Sequence, residues 1–394
     1  SFKCSTPRQP SWSTHVCERR LIQYSTFLPI RSTVNRIVNL NTHQTHSIMK
    51  TTLFSRKGIL VSMLFSAFYM QGFAQSDIEG LFKSSQSDAQ KLIQAYMNPF
   101  FKGMGTGLNS GWNNTAASKK LGRFELRFGL SGAMIPEKDK TFDVTKLGLS
   151  SNLEPTNPAL VLSPTIGGNK APGPSMNLKS GGAVVGTFVM PQGAKLPFVP
   201  APQLQASIGL IKGLELTLRT MPTIKLGDKA GSVGMTGAGL KINLLRVLAS
   251  KKADKILPFN LAAAIGYTKL SYNLPLNVQT SNSTYTDQSL NAKFTGINVE
   301  AIISKKLALF TPFASIGYQS AKTAVDLKGT YPFETGNNTY TTLVDPIAIS
   351  QKDISGLRAN LGFQLHLAFL RVYGSYSLGT YKSFNAGLVL GIGK

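Results

Sequence analysis

The feature that most constrains this chain is a strict alternation of apolar and polar residues, repeated many times along its last two thirds. In "GLRANLGFQLHL", Leu357, Ala359, Leu361, Phe363, Leu365 and Leu367 alternate with Arg358, Asn360, Gly362, Gln364 and His366. Successive side chains of a strand point to opposite faces, so one face here is hydrocarbon and the other polar. "RFELRFGLSG" sets Phe124, Leu126, Phe128 and Leu130 against Arg123, Glu125, Arg127 and Ser131. "QLQASIGL", "LELTLRTMPTIKL" and "GLKINL" repeat the device. Period-two alternation is the primary strand signal. Two architectures use it. A soluble sandwich buries its apolar face in a core. A membrane barrel turns its apolar face to lipid and its polar face to a lumen.

Turn lengths separate the two. Strands are expected at 122–134, 203–211, 214–226, 232–247, 258–272, 290–303, 307–324, 355–367, 369–378 and 382–392. One or two more are expected in the Pro- and Gly-rich region 136–200, at "FDVTKLGL" and "GAVVGTFVM". Tight connections such as Lys212-Gly213 alternate with long ones such as "KGTYPFETGNNTYTTLVDPIAISQK", the habit of outer-membrane barrels. The expected fold is all-β, a transmembrane antiparallel barrel of about 12 strands, within a range of roughly 10–14, preceded by a short helix. The sandwich is the alternative.

The beginning of the chain fits export. "MKTTLFSRKGILVSMLFSAFYMQGFAQSD" has Lys50, Arg56 and Lys57, then an apolar stretch, then small Gly72 and Ala74. This pattern predicts a signal peptide over 49–74, cleaved after Ala74. Residues 1–48 are then expected to be an unstructured upstream extension from a misassigned start. Residues 75–120 should form a helix and a Gly/Asn-rich plug or linker, and 121–394 the barrel. Ser87 and Gln90 suit a capping box. Leu92, Ile93, Tyr96 and Met97 share a helical face, and Pro99 should end the helix. A short amphipathic helix is marginal alone in water. The bore or mouth of the barrel is the expected place for that face, with these four residues as plug contacts.

Both cysteines, Cys4 and Cys17, precede residue 50, and His366 is the only histidine after His46. That excludes a disulfide framework and an ordinary His or Cys metal cluster in the body of the chain, and no cofactor is implied. The formal net charge is +24. The cations are spread along polar strand faces, and an exported chain meets no nucleic acid. The bilayer, lipopolysaccharide and a small solute are the expected partners. The candidate lumen-lining residues are Arg123, Glu125, Arg127, Glu215, Arg219, Lys225, Lys241, Lys293, Glu300, Arg358, His366 and Arg371. Such charges either pair with one another and fill the bore or line a water path. Asn360, His366 and Ser375 provide the residue types of a barrel hydrolase, but their proposed faces point inward, so no enzyme is expected. Tyr267, Tyr272, Tyr318, Tyr376 and Tyr381 fall near strand ends, where an interfacial girdle would lie.

"GMGTGLNSGWNNTAASKKLGRFELRFGLSGAMIP", followed by "PTIGG" and "LELTLRTMP", resembles a family of outer-membrane barrel proteins of Bacteroidota to which no activity is assigned. "GFAQ" at the expected cleavage site matches that phylum's habit. The resemblance covers roughly 76–394. A helix and Gly/Asn-rich link ahead of a barrel also resembles the architecture of the long-chain fatty-acid transporters, which implies a lumen closed by an N-terminal segment. Two functions remain: a pore or transporter for a small or hydrophobic solute, or a structural or surface-interaction barrel with a sealed lumen. A continuous lumen would favour the first.

Overall fold

The computed structural model describes residues 85–227, 230–248, 258–277, 285, 287–336, 339–367 and 370–392. The chain divides into Ser1–Arg56 and Lys57–Lys394, and every described residue belongs to the second unit. The expected extension, leader and cleavage site lie outside the described residues.

Helix α1 spans Gln86–Asn109. Strand β1 (Phe124–Met134) follows. The segment 135–197 then carries β2 (Thr141–Asp143), β3 (Leu153–Pro155), β4 (Leu162–Pro164), β5 (Ser175–Ser180) and β6 (Ala183–Val189). Next come β7 (Phe198–Gly209), β8 (Leu214–Gly227), β9 (Gly231–Asn243), the short helix α2 (Leu244–Leu248) and β10 (Asn260–Pro275). The chain continues through β11 (Ser289–Ser304), β12 (Phe310–Lys328), β13 (Thr330–Gly336) and β14 (Thr339–Val344). It closes with β15 (Ile347–Leu367), β16 (Leu370–Leu378) and β17 (Ser383–Ile392).

Ten of these strands close an antiparallel barrel, in the order β1-β17-β16-β15-β12-β11-β10-β9-β8-β7. They are the ten regularly alternating stretches. The count is ten and not about twelve, because the two extra stretches stay out of the wall. "FDVTKLGL" contributes β2, which pairs with β4, and "GAVVGTFVM" contributes β6, in a sheet with β3 and β5. Both belong to a small body with its own core of Val144, Leu153, Met176, Phe188 and Met190. The stretch 232–247 bends into α2 after Asn243, and β13–β14 form a hairpin inside the longest predicted connection.

One end of the barrel carries the connections 135–197, 276–288 and 329–346; the other carries 210–213, 244–259 and 305–309. Leu218, Leu240, Ile265, Ile297, Ile316, Leu361 and Leu388 stand exposed on the outer surface. Glu125, Arg127, Gln205, Arg219, Lys241, Asn298 and Arg358 are buried on the inner one. A sandwich in water requires the reverse distribution, whereas lipid outside and polar groups inside is the barrel solution. Among the described residues no helix is long and apolar enough to cross a membrane.

Candidate functional site

The bore is occupied by the chain's own segment. α1 packs against β1, β7, β10, β11, β12 and β15, strands that surround it. The helix begins two residues ahead of the expected box. Ser85, two residues before Ser87, is the cap, and its Oγ accepts from Asp88 N at 3.2 Å. Asp88 is itself taken by Ser150 N and Oγ, so the cap is tied to the small body.

Pro99 does not end the helix, which runs ten residues further to Asn109. A proline costs one backbone bond. Burial of the following turns offsets it, since Phe101, Met104 and Leu108 lie in one cluster with Val199, Met221, Met235, Leu270 and Phe294 of the wall. The glycines of "GMGTG" serve close approach. A Cβ on Gly103 would lie 2.4 Å from Val199 Cγ2, and one on Gly107 2.5 Å from Ala201 Cβ.

The expected plug residues divide. Leu92 packs under the small body with Val144 and Met176, away from the wall. Tyr96 donates to Gln192 O at 2.9 Å, also in that segment. Ile93 packs against both clusters and Met97 against the wall cluster. The residues that fill the middle of the bore come later, from Phe101 to Ser118. The sequence marks that stretch as a plug or linker but singles out no contact residue in it, because Gly and Asn carry no apolar period there.

Below the apolar collar the chain meets polar groups. Arg219 donates to Leu108 O at 2.6 Å and Ser110 O at 2.9 Å. Arg358 donates to Asn109 O at 2.7 Å and Ser377 Oγ at 2.9 Å. Arg127 donates to Gly111 O at 3.2 Å, Trp112 O at 2.8 Å and Asn114 Oδ1 at 3.1 Å. These are the last carbonyls of α1 and those just beyond it, the negative pole of the helix, which has no intrahelical donors left. Gln203 adds bonds to Gly107 O and Ser110 O, and Gln205 one to Gly111 O. Trp112 lies on Gly239 and Gly266, with Arg219 stacked 4.0 Å above its ring.

Charge pairs gather near the short-turn end. Lys119, on the segment, reaches Glu125 at 3.0 Å and Glu215 at 2.8 Å. Arg127 and Arg371 pair with Glu125 at 2.9 and 3.0 Å, and Lys241 with Glu215 at 3.2 Å. Glu300 accepts from Asn113 and Ser315. Asn298 and Gln319 face one another across β11 and β12, both buried, and none of their side-chain polar atoms has a protein partner. Native interiors rarely leave such atoms unpaired.

Nine of the twelve lumen candidates, from Glu125 to Arg371 along the wall and including His366, share the inner face. Arg123 is half-buried just ahead of β1, where its carbonyl accepts from Gly209 N. Lys225 and Lys293 are corrections. A register shift between Met221 and Ile224 flips the parity of β8, so Ile224 and Leu226 turn inward and Lys225 is exposed. On β11 the inner face is Phe294, Gly296, Asn298 and Glu300, which puts Lys293 outside. His366 bonds to Thr311 and Gln364, and Asn360 to Ser377. Of the tyrosines, Tyr267, Tyr318 and Tyr376 stand on the outer surface. Tyr272 packs against the collar. Tyr381 is buried and donates to Asp139 Oδ2 at 2.6 Å; burial, and then that carboxylate, push its phenol well above the usual range.

At the long-connection end a cleft of about 520 Å³ opens between Lys91, Gln94, Asn98 and Lys102 of α1 and Gln351 and Lys352 of β15. Among the described residues no His, Cys, Asp and Glu grouping could hold a metal.

Fold and site define a closed ten-stranded barrel, apolar outside, whose polar bore holds an N-proximal segment. The chain belongs to a family of unknown function, DUF6588, whose model matches residues 49–392. No curated protein matches it. Solved structures that it resembles include bacterial outer-membrane barrels. Ail of Yersinia pestis, in complex with the heparin analogue sucrose octasulfate, is 8% identical at a TM-score of 0.24, over 69% of this chain and 98% of that one. The translocator domain of the autotransporter NalP from Neisseria meningitidis is 9% identical at 0.26, over 74% and 92%. The Pseudomonas putida toluene transporter TodX is 11% identical at 0.25, over 69% and 68%. At such TM-scores these likenesses carry nothing about activity, and the reading below rests on this barrel's own geometry.

Proposed function

We propose that this chain is an outer-membrane pore or transporter for a small solute, closed at rest by its own segment Phe101–Ser118. One observation carries the reading. The inner wall is built to leave room, and the room is filled by a separable piece of chain. Gly239, Gly266 and Gly296 face Trp112 and Asn109, where larger wall residues would have filled the bore without a segment. In its middle the segment is held chiefly by hydrogen bonds, which water can replace when it leaves. Asn298 and Gln319 supply polar lining beside it. The likeness to the fatty-acid transporter architecture, the Bacteroidota source and the export signal remain parts of this proposal, supported by the sequence.

The second reading, a sealed structural barrel, is favoured by the apolar collar around Phe101, Met104 and Leu108. A reversible lock decides between them. Gly107 and Ala201 lie in contact, and no native cysteine follows residue 17. A Gly107→Cys/Ala201→Cys pair in the full chain should form a disulfide with a local shift on the order of 1 Å. In planar bilayers the reduced form should show stepwise conductance and the oxidised form none. No current in a reduced protein with the heat-modifiable mobility of a folded barrel would give the structural reading, and equal currents in both states would mean that the segment is not the gate.

A further inference from the structure

We infer that the open bore selects anions, and that Arg127, Arg219 and Arg358 form the ring that binds the carboxylate or phosphate of the solute. This rests on the gated-pore reading and adds the solute class to it. The three guanidiniums come from β1, β8 and β15, which are spread around the barrel wall. Each is almost fully buried. Among the described residues Arg219 and Arg358 form no salt bridge, and Arg127 shares Glu125 with Lys119 and Arg371. Their inward N–H groups go to five successive positions of one chain: the carbonyls of Leu108, Asn109, Ser110, Gly111 and Trp112. Those oxygens stand where an anion's oxygens would lie.

Burying a cation without a carboxylate is costly, and a wall that served only to grip a peptide could do so with neutral amides, as Gln203 and Gln205 do here. Guanidinium offers planar, paired donors that match carboxylate and phosphate. When the segment withdraws, its carbonyls leave and the ring faces the lumen, Arg219 and Arg358 without a salt-bridge partner among the described residues and Arg127 still beside Glu125. Each Nε of the three is also without a partner, so the ring has donors to spare. Rings of Arg or Lys are how pores favour anions. The mouth agrees in sign. The cleft beside α1 is lined by Lys91, Lys102, Lys146 and Lys352 against one carboxylate, Asp353, although Lys102 and Lys146 also pair with Asp139 and Asp143 outside it.

The experiment uses the full chain with the disulfide pair, reduced, in a bilayer under a KCl gradient. The reversal potential should take the sign of the chloride potential. Inorganic phosphate and acetate, added in turn, should each reduce the chloride current, and the stronger blocker names the headgroup. Arg219→Gln with Arg358→Gln should move the reversal potential toward zero and abolish the block. Arg219→Lys should keep the sign and weaken the block. If current flows only in the reduced state but is cation-selective or unselective, the anion inference fails and the gate stands. An unchanged potential in a folded double-Gln variant assigns the selectivity elsewhere and overturns the ring. If that variant does not fold, the sign of the potential and the phosphate and acetate block in the parent protein decide alone. Equal conductance in oxidised and reduced states removes the gate itself.

Discussion

Trp112 shows how a single residue can organise the bore. Its indole fills the space left by two wall glycines and supplies the face on which Arg219 rests. A Cβ on Gly266 would lie 2.4 Å from Trp112 Cε2. Gly266→Val should therefore destabilise the barrel by about 1–3 kcal/mol through overpacking. Trp112→Ala should cost about 3–5 kcal/mol through the cavity it leaves. The two losses should not add, because the valine would grow into the space the indole vacates. Denaturant unfolding in detergent, followed by gel mobility, measures all three variants. A double variant whose loss equals the sum of the single ones would show that the residues do not touch. In the sequence Gly239 and Gly266 are small residues within alternating stretches, and nothing there says what they make room for. Trp112 sits in a Gly/Asn-rich stretch without periodicity, and its partners Arg219, Gly239 and Gly266 lie far along the chain. The amides Gln203 and Gln205 were equally visible on the polar face, yet a search for charge passes over neutral groups.

At the level of elements, alternation located the ten wall strands, because lipid and polar lumen impose opposite demands on alternate residues along most of each strand. It failed where those demands change. Near the long-connection end the inner face turns apolar to grip α1, as at Val233, Met235, Val325 and Leu327. There an inward hydrocarbon looks in sequence like an outward one. In β8 the register shift at Met221 compounds the error for Lys225. The same reasoning separates two outer-face positions. Leu361 lies within the exposed apolar run Leu357–Leu367 of β15. Lys293 lies outside on β11, at the level of the collar, paired across the strands with Ala324. Leu361→Arg should cost about 2–4 kcal/mol, the penalty of a cation on the lipid face near midplane. Lys293→Leu should change stability by no more than about 0.5 kcal/mol. Refolding yield into lipid vesicles reads both, and equal tolerance at the two sites would mean that the apolar band does not meet lipid at Leu361.

The path of the whole chain follows from the direction of α1. Its first residues lie at the long-connection end, where Gln86 and Gln90 donate to the carbonyls of Asp345 and Pro346. The segment then descends the bore and leaves at the opposite end, where Lys119 meets Glu215 and Gly122 N bonds Gly209 O. There it reverses into β1. Residues 85 and 124 are thus at opposite mouths, although both precede the barrel wall in sequence. No local pattern in the sequence carries this, since helix polarity relative to a barrel is decided by what the two ends bind. In outer-membrane barrels the long connections face outward. Ser87 should accordingly be reachable from outside the cell, on the same side as Val344 and opposite Ile211, all three being exposed. With Cys4 and Cys17 replaced by serine, Ser87→Cys, Val344→Cys and Ile211→Cys can be probed singly in whole cells with a membrane-impermeant maleimide. The first two should label in intact cells and the third only after the outer membrane is opened. Labelling of Val344→Cys with protection of Ser87→Cys until lysis would place the start of α1 at the inner mouth. The segment would then enter and leave by the same end, and the bonds from Gln86 and Gln90 to the 329–346 connection could not form.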